Sequence, residues 1–232
     1  MCSSDLPHRH HTNKELTMKS ILLIGLGRFG KQIAEVLYKM NKDVLAIDKN
    51  EANVNQILEF ATDAKIGDST NENFMKSLGV SNFDVCIVAI GSDFQSSLET
   101  TSMLKEYGAK KVVARASTDR QANLLLKIGA DEIVYPEKQL GTWTAIRYSS
   151  DNMFDYIELD HEYSICEVAV PHEIVGKTVA QSNLRQKYGI NILAFKQDGV
   201  MNPMVAPDNV FTEQTRLLVL GRYKDIARCF KL

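Results

Sequence analysis

Four apolar residues, Ile21-Leu22-Leu23-Ile24, run directly into Gly25-Leu26-Gly27-Arg28-Phe29-Gly30, and helical spacing follows. No other stretch limits the fold as strongly. A short buried strand, a Gly-x-Gly-x-x-Gly turn and a helix form the unit that brings a nucleotide phosphate against backbone N–H groups. The question for the rest of the chain is whether a bound nucleotide serves chemistry or signalling.

The pattern after the turn repeats this unit. Ile33, Val36, Leu37 and Met40 lie on one helical face, and Val44 to Ile47 make a second buried strand ending at Asp48. Val54, Ile57, Leu58 and Ala61 predict a helix, 64–66 a short strand, and Phe74, Met75 and Leu78 a helix closed by Gly79. Val85 to Ile90 is the strongest strand signal, and its helix runs to Tyr107 and stops at Gly108. A strand at 111–115, a helix from Ala122 to Gly129 and a strand at 132–135 ended by Pro136 complete the series. Apolar strands joined by helices require a parallel sheet covered on both faces, with ligands at the carboxyl ends of the strands. The expected fold is a Rossmann-like, doubly wound α/β domain over 18–138, followed by a small α+β domain.

Beyond Glu137 the pattern changes. Residues 140–153 predict a helix carrying the sole tryptophan, Trp143. It reads either as a connecting or swapped helix that packs on something else, such as another subunit, or as a last cover for the sheet; as a connector it spans 139–155. From 156 to 232, strands at 156–159, 164–170, 190–195 and 216–221 mix with helices at 178–188 and 225–230. Asp198-Gly199 signals a hairpin. A unit of roughly 75 residues has a small core, which favours dimerisation.

Composition narrows the function classes. The chain has 232 residues, a formal net charge of -2 and 24% charged residues. No Lys/Arg cluster marks a nucleic-acid surface. Apolar runs fall far short of the roughly 20 residues needed to span a bilayer, so a membrane would matter only through a partner. Cys2, Cys86, Cys166 and Cys229 have no metal-ligand spacing, which fits buried or incidental thiols in a reducing cytoplasm. The polar stretch 1–17 carries three histidines, His8, His10 and His11, and lacks the apolar core of a signal peptide. It reads as a disordered, non-native leader able at most to bind metal loosely, with Met18 as the native start.

Gly25 and Gly27 allow the tight turn and close approach of a pyrophosphate, and Gly30 allows the helix to pack on the sheet. Asp48 lies 18 residues beyond Gly30 at a strand end. Its carboxylate suits ribose hydroxyls and repels a 2′-phosphate, which disfavours NADP. Arg28 reads either as a solvated side chain or as a phosphate clamp, on its own chain's nucleotide or a neighbour's. Lys49, Asp68, Ser69, Ala89, Ile90 and Gly91 fall at strand ends where adenosine would lie, and Arg115 follows the fifth strand. Each reads equally as ligand contact or as loop chemistry. A dehydrogenase needs a proton donor or acceptor. Outside the leader only His161 and His172 remain, both in the small domain, and no catalytic set stands out. The region after the sixth strand is short for a catalytic domain. A non-enzymatic sensor is therefore expected, with a small NAD(H)-dependent oxidoreductase and a stand-alone nucleotide sensor as rivals.

The stretches Ile24-Gly-Leu-Gly-Arg-Phe-Gly30, Leu45-Ala-Ile-Asp48, Gly67-Asp-Ser-Thr70, Val88-Ala-Ile-Gly91, Ile128-Gly-Ala-Asp131 and Tyr135-Pro-Glu-Lys138 resemble, in this order, the RCK (regulator of potassium conductance) proteins of the KtrA/TrkA type. Asn183-Leu-Arg-Gln-Lys-Tyr-Gly189, Ile192-Leu-Ala194 and Pro207 resemble the RCK C-terminal domain. The resemblance covers about 18 to 230. It departs in Gly67-Asp68-Ser69-Thr70, where relatives vary, and in lacking the second glycine loop often found in TrkA.

The resemblance implies a cytosolic regulator held at the inner face of the membrane by a KtrB/TrkH-like potassium-translocating subunit. It implies homodimers assembled into a ring, often octameric, that responds to ATP against ADP, with NAD or NADH as further cofactors. Phe29 belongs to its glycine-loop motif. Arg28 matches an arginine reaching the γ-phosphate across a subunit interface, and Glu137 an acidic residue linked to a divalent or monovalent cation beside the phosphates. Leu184, Arg185, Tyr188, Asn191 and Pro207 match a cyclic di-AMP site at a C-domain dimer interface; ordinary packing is the other reading of those five.

Overall fold

The structure is a computed structural model describing residues 19–232. The leader, with Cys2 and its histidines, and Met18 lie outside the described residues. The chain divides into two compact units between Pro136 and Glu137.

The first unit is built on a six-stranded sheet in the order β3-β2-β1-β4-β5-β6. The strands are β1 (Ser20–Ile24), β2 (Asp43–Asp48), β3 (Asp63–Ile66), β4 (Val85–Val88), β5 (Val112–Arg115) and β6 (Glu132–Val134). All pair in parallel. Successive residues of β1 serve opposite faces. Leu23 packs in a cluster with Ala34, Val54 and Ile57, while Leu22 and Ile24 pack with Met75, Leu104 and Leu125. The first cluster lies under α1 (Arg28–Lys39) and α2 (Glu51–Asn55); the second lies under α3 (Glu72–Ser77), α4 (Phe94–Glu106) and α5 (Asp119–Lys127). A strand buried on both faces must be apolar throughout, as Leu22 to Ile24 are. The connections run outward from β1 to β3 and then return to the other side of β1. The doubly wound expectation is thus borne out, and the reversal opens a crevice above β1 and β4.

The second unit has an antiparallel sheet in the order β10-β9-β11-β8-β7. Its strands are β7 (Met153–Glu158), β8 (Tyr163–Ala169), β9 (Asn191–Gln197), β10 (Val200–Asn202) and β11 (Arg216–Arg222). Its helices are α6 (Pro136–Tyr148), α7 (Val179–Ser182), α8 (Leu184–Tyr188) and α9 (Tyr223–Phe230). Leu217 sits opposite Val168 and Val219 opposite Cys166, so one face supplies a core completed by Phe211, Ile226 and Phe230. Phe211 stacks on Phe195 at 5.8 Å between ring centroids.

Several element boundaries differ from those expected. The helix expected through Ala61 ends at Asn55, and a 3-10 turn at 58–60 leads to Ala61 in extended conformation. That turn lets Thr62 N–H reach the Val44 carbonyl and seats β3 beside β2. The fourth strand ends at Val88 rather than Ile90: the Ala89 N–H still donates to the Ile24 carbonyl, and the chain then leaves the sheet. The helix expected over 140–153 starts at Pro136, a residue suited to the first helical position, and ends at Tyr148. Met153 is not helical: it begins β7 and is fully buried. Trp143 and Ile146 pack on the core of the second unit, and the Trp143 indole donates to Asp155 at 3.1 Å. The helix at 178–188 breaks into α7 and α8 because Asn183 is left-handed, at φ 55°. The expected hairpin turn has Asp198 at φ 49° and Gly199 at φ 79°, the doubly positive pair that matches strand twist. Cys86 and Cys166 are buried, and burial pushes their thiols up to about 12 and about 11.

Phe211 is among the largest side chains fully buried in the second unit. Phe211→Ala is expected to cost about 3–5 kcal/mol, whereas Met204→Ala, at a residue 78% exposed, should change stability by less than about 0.5 kcal/mol. Urea unfolding of both variants measures the contrast.

Candidate functional site

The crevice at the sheet reversal is a cleft of about 270 Å³. Gly25 and Gly27 form one side, Asp48 to Asn50 and Asn53 the second, Gly67 to Ser69 the third, and Ala89 to Asp93 with Ser96 the fourth.

The glycine loop is fixed by sterics and by bonds to β2. Gly25 has φ +92°, and a Cβ there would lie 2.9 Å from the Ile90 nitrogen. A Cβ on Gly30 would lie 1.9 Å from the Gly25 carbonyl oxygen, so α1 packs at this distance only with glycine. A Cβ on Gly27 would meet nothing within 4 Å, because this residue faces open cleft. Gly27 precedes α1, and the first turn of a helix leaves N–H groups without intrahelical partners. The loop therefore presents donors and the positive end of a helix dipole to an anion.

Asp48 holds the opposite side. One carboxylate oxygen accepts from the Leu26 N–H at 2.7 Å and the Asn53 amide at 3.1 Å, and the other from the Asn50 N–H at 2.8 Å. A carboxylate has about four acceptor positions, so this group anchors the loop and retains capacity for a ligand hydroxyl. Asp68 accepts from the Thr70 N–H at 2.9 Å and hydroxyl at 2.8 Å, and these bonds hold its pKa below the usual carboxylate range. Asp93 caps α4 by accepting from the Ser96 N–H and hydroxyl, which likewise lower its pKa. Ser69 is buried and pairs with Thr100 at 2.8 Å. Three carboxylates against one lysine make this half of the cleft suited to hydroxyl and amino donors. It is unsuited to phosphate, which belongs at the glycine loop.

The cleft thus brings together Gly25, Gly27, Asp48, Lys49, Asp68, Ser69, Ala89, Ile90 and Gly91. It does not include Arg28, Phe29, Gly30 or Arg115. Arg28 is exposed at the first position of α1. Arg115 lies over the Phe29 ring at 5.5 Å and occupies the space a Cβ on Gly91 would need, at 2.3 Å. It therefore braces the loop after β4 against α1 instead of lining the cleft. Glu137 lies in the first turn of α6, in the second unit. Among the described residues, no three His, Cys, Asp or Glu side chains gather to hold a metal ion. Sequence reading missed Asn50, Asn53, Asp93 and Ser96; Asn50 and Asp93 each open a helix, and a capping residue at a strand end was the available signal.

In the second unit, Leu184, Arg185, Asn191 and Pro207 line a cavity of about 350 Å³. Leu184 is mostly core, whereas Arg185 and Pro207 are exposed. Tyr188 is not in this lining; its ring lies against Arg228, at 5.6 Å from the guanidinium.

Comparison with known proteins matches residues 21–136 to the TrkA-N domain and residues 165–232 to the TrkA-C domain. The Ktr system potassium uptake protein A of Bacillus subtilis (strain 168) is 41% identical over 210 residues, covering 90% of this chain and 95% of that protein. The Ktr system potassium uptake protein C of the same organism is 40% identical over 212 residues, with the same coverage. Protein A of Vibrio alginolyticus is 32% identical over 179 residues, 77% of this chain and 81% of its own. Among solved structures, the GsuK channel bound to NAD superposes with a TM-score of 0.66 at 20% identity, over 93% of this chain and 39% of that chain. The order of domains and the likeness along nearly their full length place the chain in the KtrA/TrkA family of RCK regulators.

Proposed function

We propose that this chain is a non-enzymatic regulatory subunit of a potassium-uptake system, controlled by an adenine nucleotide in the cleft above β1 and β4. The observation that carries this reading is the division of that cleft. Gly25 and Gly27 offer an anion site at the start of α1, and Asp48 offers an acceptor across from it. The potassium-uptake role is supported by the Ktr system proteins at 40–41% identity. In this reading a membrane-embedded potassium-translocating subunit of the KtrB/TrkH type is the partner, which keeps the chain cytoplasmic and peripheral to the membrane. Among the described residues no helix is long and apolar enough to cross a membrane.

The finer points belong to the same proposal. Dimers assemble into an octameric ring. ATP and ADP favour different states of that ring, since a ligand shifts an equilibrium only by its differential affinity for the two states. Arg28 meets the γ-phosphate of a neighbour's nucleotide, a role supported by its exposure and its place outside its own chain's cleft. Glu137 contributes to a cation near the phosphates. Arg185 and Asn191 contact the phosphate and an adenine edge of cyclic di-AMP between paired C-terminal units, with Leu184, Tyr188 and Pro207 around it. NAD is a second reading of the cleft, favoured by Asp48, because NAD and ADP share an adenosine ribose with free hydroxyls. The NAD-bound GsuK channel has the same fold.

A thermal-shift series on the full chain tests these points. At a hundredfold excess over Kd, ATP or ADP should raise Tm by about 5–10 °C, and NADP should not, because its 2′-phosphate meets Asp48. Tight NADH binding with turnover of a substrate would instead establish an oxidoreductase. Arg28→Ala should abolish the difference between the ATP and ADP shifts while leaving the ADP shift in place. An intact difference removes the clamp from the proposal. Asn191→Ala should reduce a cyclic di-AMP shift at least tenfold in apparent Kd, with nucleotide shifts unchanged; a wild-type chain indifferent to cyclic di-AMP removes that site.

A further inference from the structure

Lys49 and Asp93 face each other across the mouth of the cleft. Lys49 follows the last residue of β2, and Asp93 caps α4 on the opposite wall. The Lys49 ammonium lies 3.8 Å from an Asp93 carboxylate oxygen, and both residues line the cleft. We infer that Lys49 is a strap over the adenosine end of the cleft, latched to Asp93, which governs how fast an occupant leaves. The inference rests on the nucleotide reading of the cleft.

Only one part of this bridge is free to move. Asp93 is held in place by the Ser96 N–H at 3.1 Å and the Ser96 hydroxyl at 2.6 Å. The backbone carrying Lys49 is fixed on both sides. Asp48 is tied to Leu26, Asn50 and Asn53, and the Asp48 carbonyl accepts from the Gly67 N–H at 3.0 Å. The swinging element is therefore the four-carbon stem of Lys49, whose side chain is 64% exposed. Its charge also contributes to holding the Asp68 pKa below the usual carboxylate range, after the Thr70 hydrogen bonds. An adenosine seated on Asp48 lies beneath that span, and leaving requires the Lys49–Asp93 pair to part. An exposed pair of this kind is weak, and its worth falls with salt. A strap of this strength alters release severalfold without deciding whether binding occurs.

The test preloads the full chain with tritium-labelled ATP, ADP or NAD and chases with excess unlabelled nucleotide. The variants are Lys49→Met, Asp93→Asn and the double substitution. Asparagine keeps an oxygen for the Ser96 N–H, so α4 remains capped. Each single variant is expected to speed release two- to fivefold, and the double no further, since both break one pair. Raising salt should speed release more from the wild-type chain than from the variants, which have already lost the pair. Release rates equal to wild type, or single effects that multiply in the double, overturn the strap while leaving the nucleotide reading intact. A wild-type chain that retains none of the three nucleotides overturns the nucleotide reading, and the strap with it.

Discussion

The end of β2 is the point on which the cleft depends. The Ile47 carbonyl accepts from the Gly25 N–H at 2.8 Å, the Asp48 carboxylate from the Leu26 N–H at 2.7 Å, and the Asp48 carbonyl from the Gly67 N–H at 3.0 Å. Two consecutive residues thereby fix the glycine loop on one side and the exit of β3 on the other. A loop with Gly25 at φ +92° loses more conformational entropy on ordering than most. It holds one shape here because its neighbours determine it from several directions. The Gly30 contact with Gly25 supplies another, by bringing α1 close enough to aim its N-terminus into the cleft.

Electrostatics then divides the cleft. A helix N-terminus and a carboxylate attract opposite charges, and a ligand that satisfies both needs an anionic end and a donor-rich end. A mononucleotide or dinucleotide has both, separated by a ribose. Hydrogen bonds to the Asp68 and Asp93 carboxylates lower their pKa, so the donor-seeking half keeps its negative charge further into the acid range.

Much of this was legible in the sequence because it follows from backbone requirements. Gly25 and Gly30 are glycines for steric reasons, and Leu22 to Ile24 are apolar because both faces of β1 are buried. Periodicity therefore recovered the parallel sheet and the order of its elements. It failed where a tertiary bond or a local left-handed residue ends an element against its own pattern. Val85 to Ile90 is apolar throughout, yet the chain leaves the sheet after its last bond to Ile24. Leu184 carries the helical spacing of 178–188, yet Asn183 breaks it by turning left-handed. The packing of Arg115 was hidden for a related reason. Its type and position suit phosphate, but the space it fills exists only because Gly91, on another strand's loop, has no side chain.

The same geometry bears on how such a chain works as a switch. A cleft that only binds tightly shifts no equilibrium; the ligand must interact differently with the two states. In the proposed function, the cleft of one chain recognises features common to ATP, ADP and NAD: a pyrophosphate-sized anion, a ribose and an adenosine edge. Discrimination among them then has to come from a group whose position changes with assembly. Arg28 meets that requirement in the proposed function. It follows Gly27, which lines the cleft, yet it is exposed and outside the lining. Under that proposal its guanidinium is committed to an anion only when a second chain brings one within reach. An arginine suits this because it remains charged when desolvated and can bond two phosphate oxygens at once. Lysine at that position would keep the charge and lose the paired geometry, so the distinction between a terminal γ-phosphate and a β-phosphate would weaken before binding itself did.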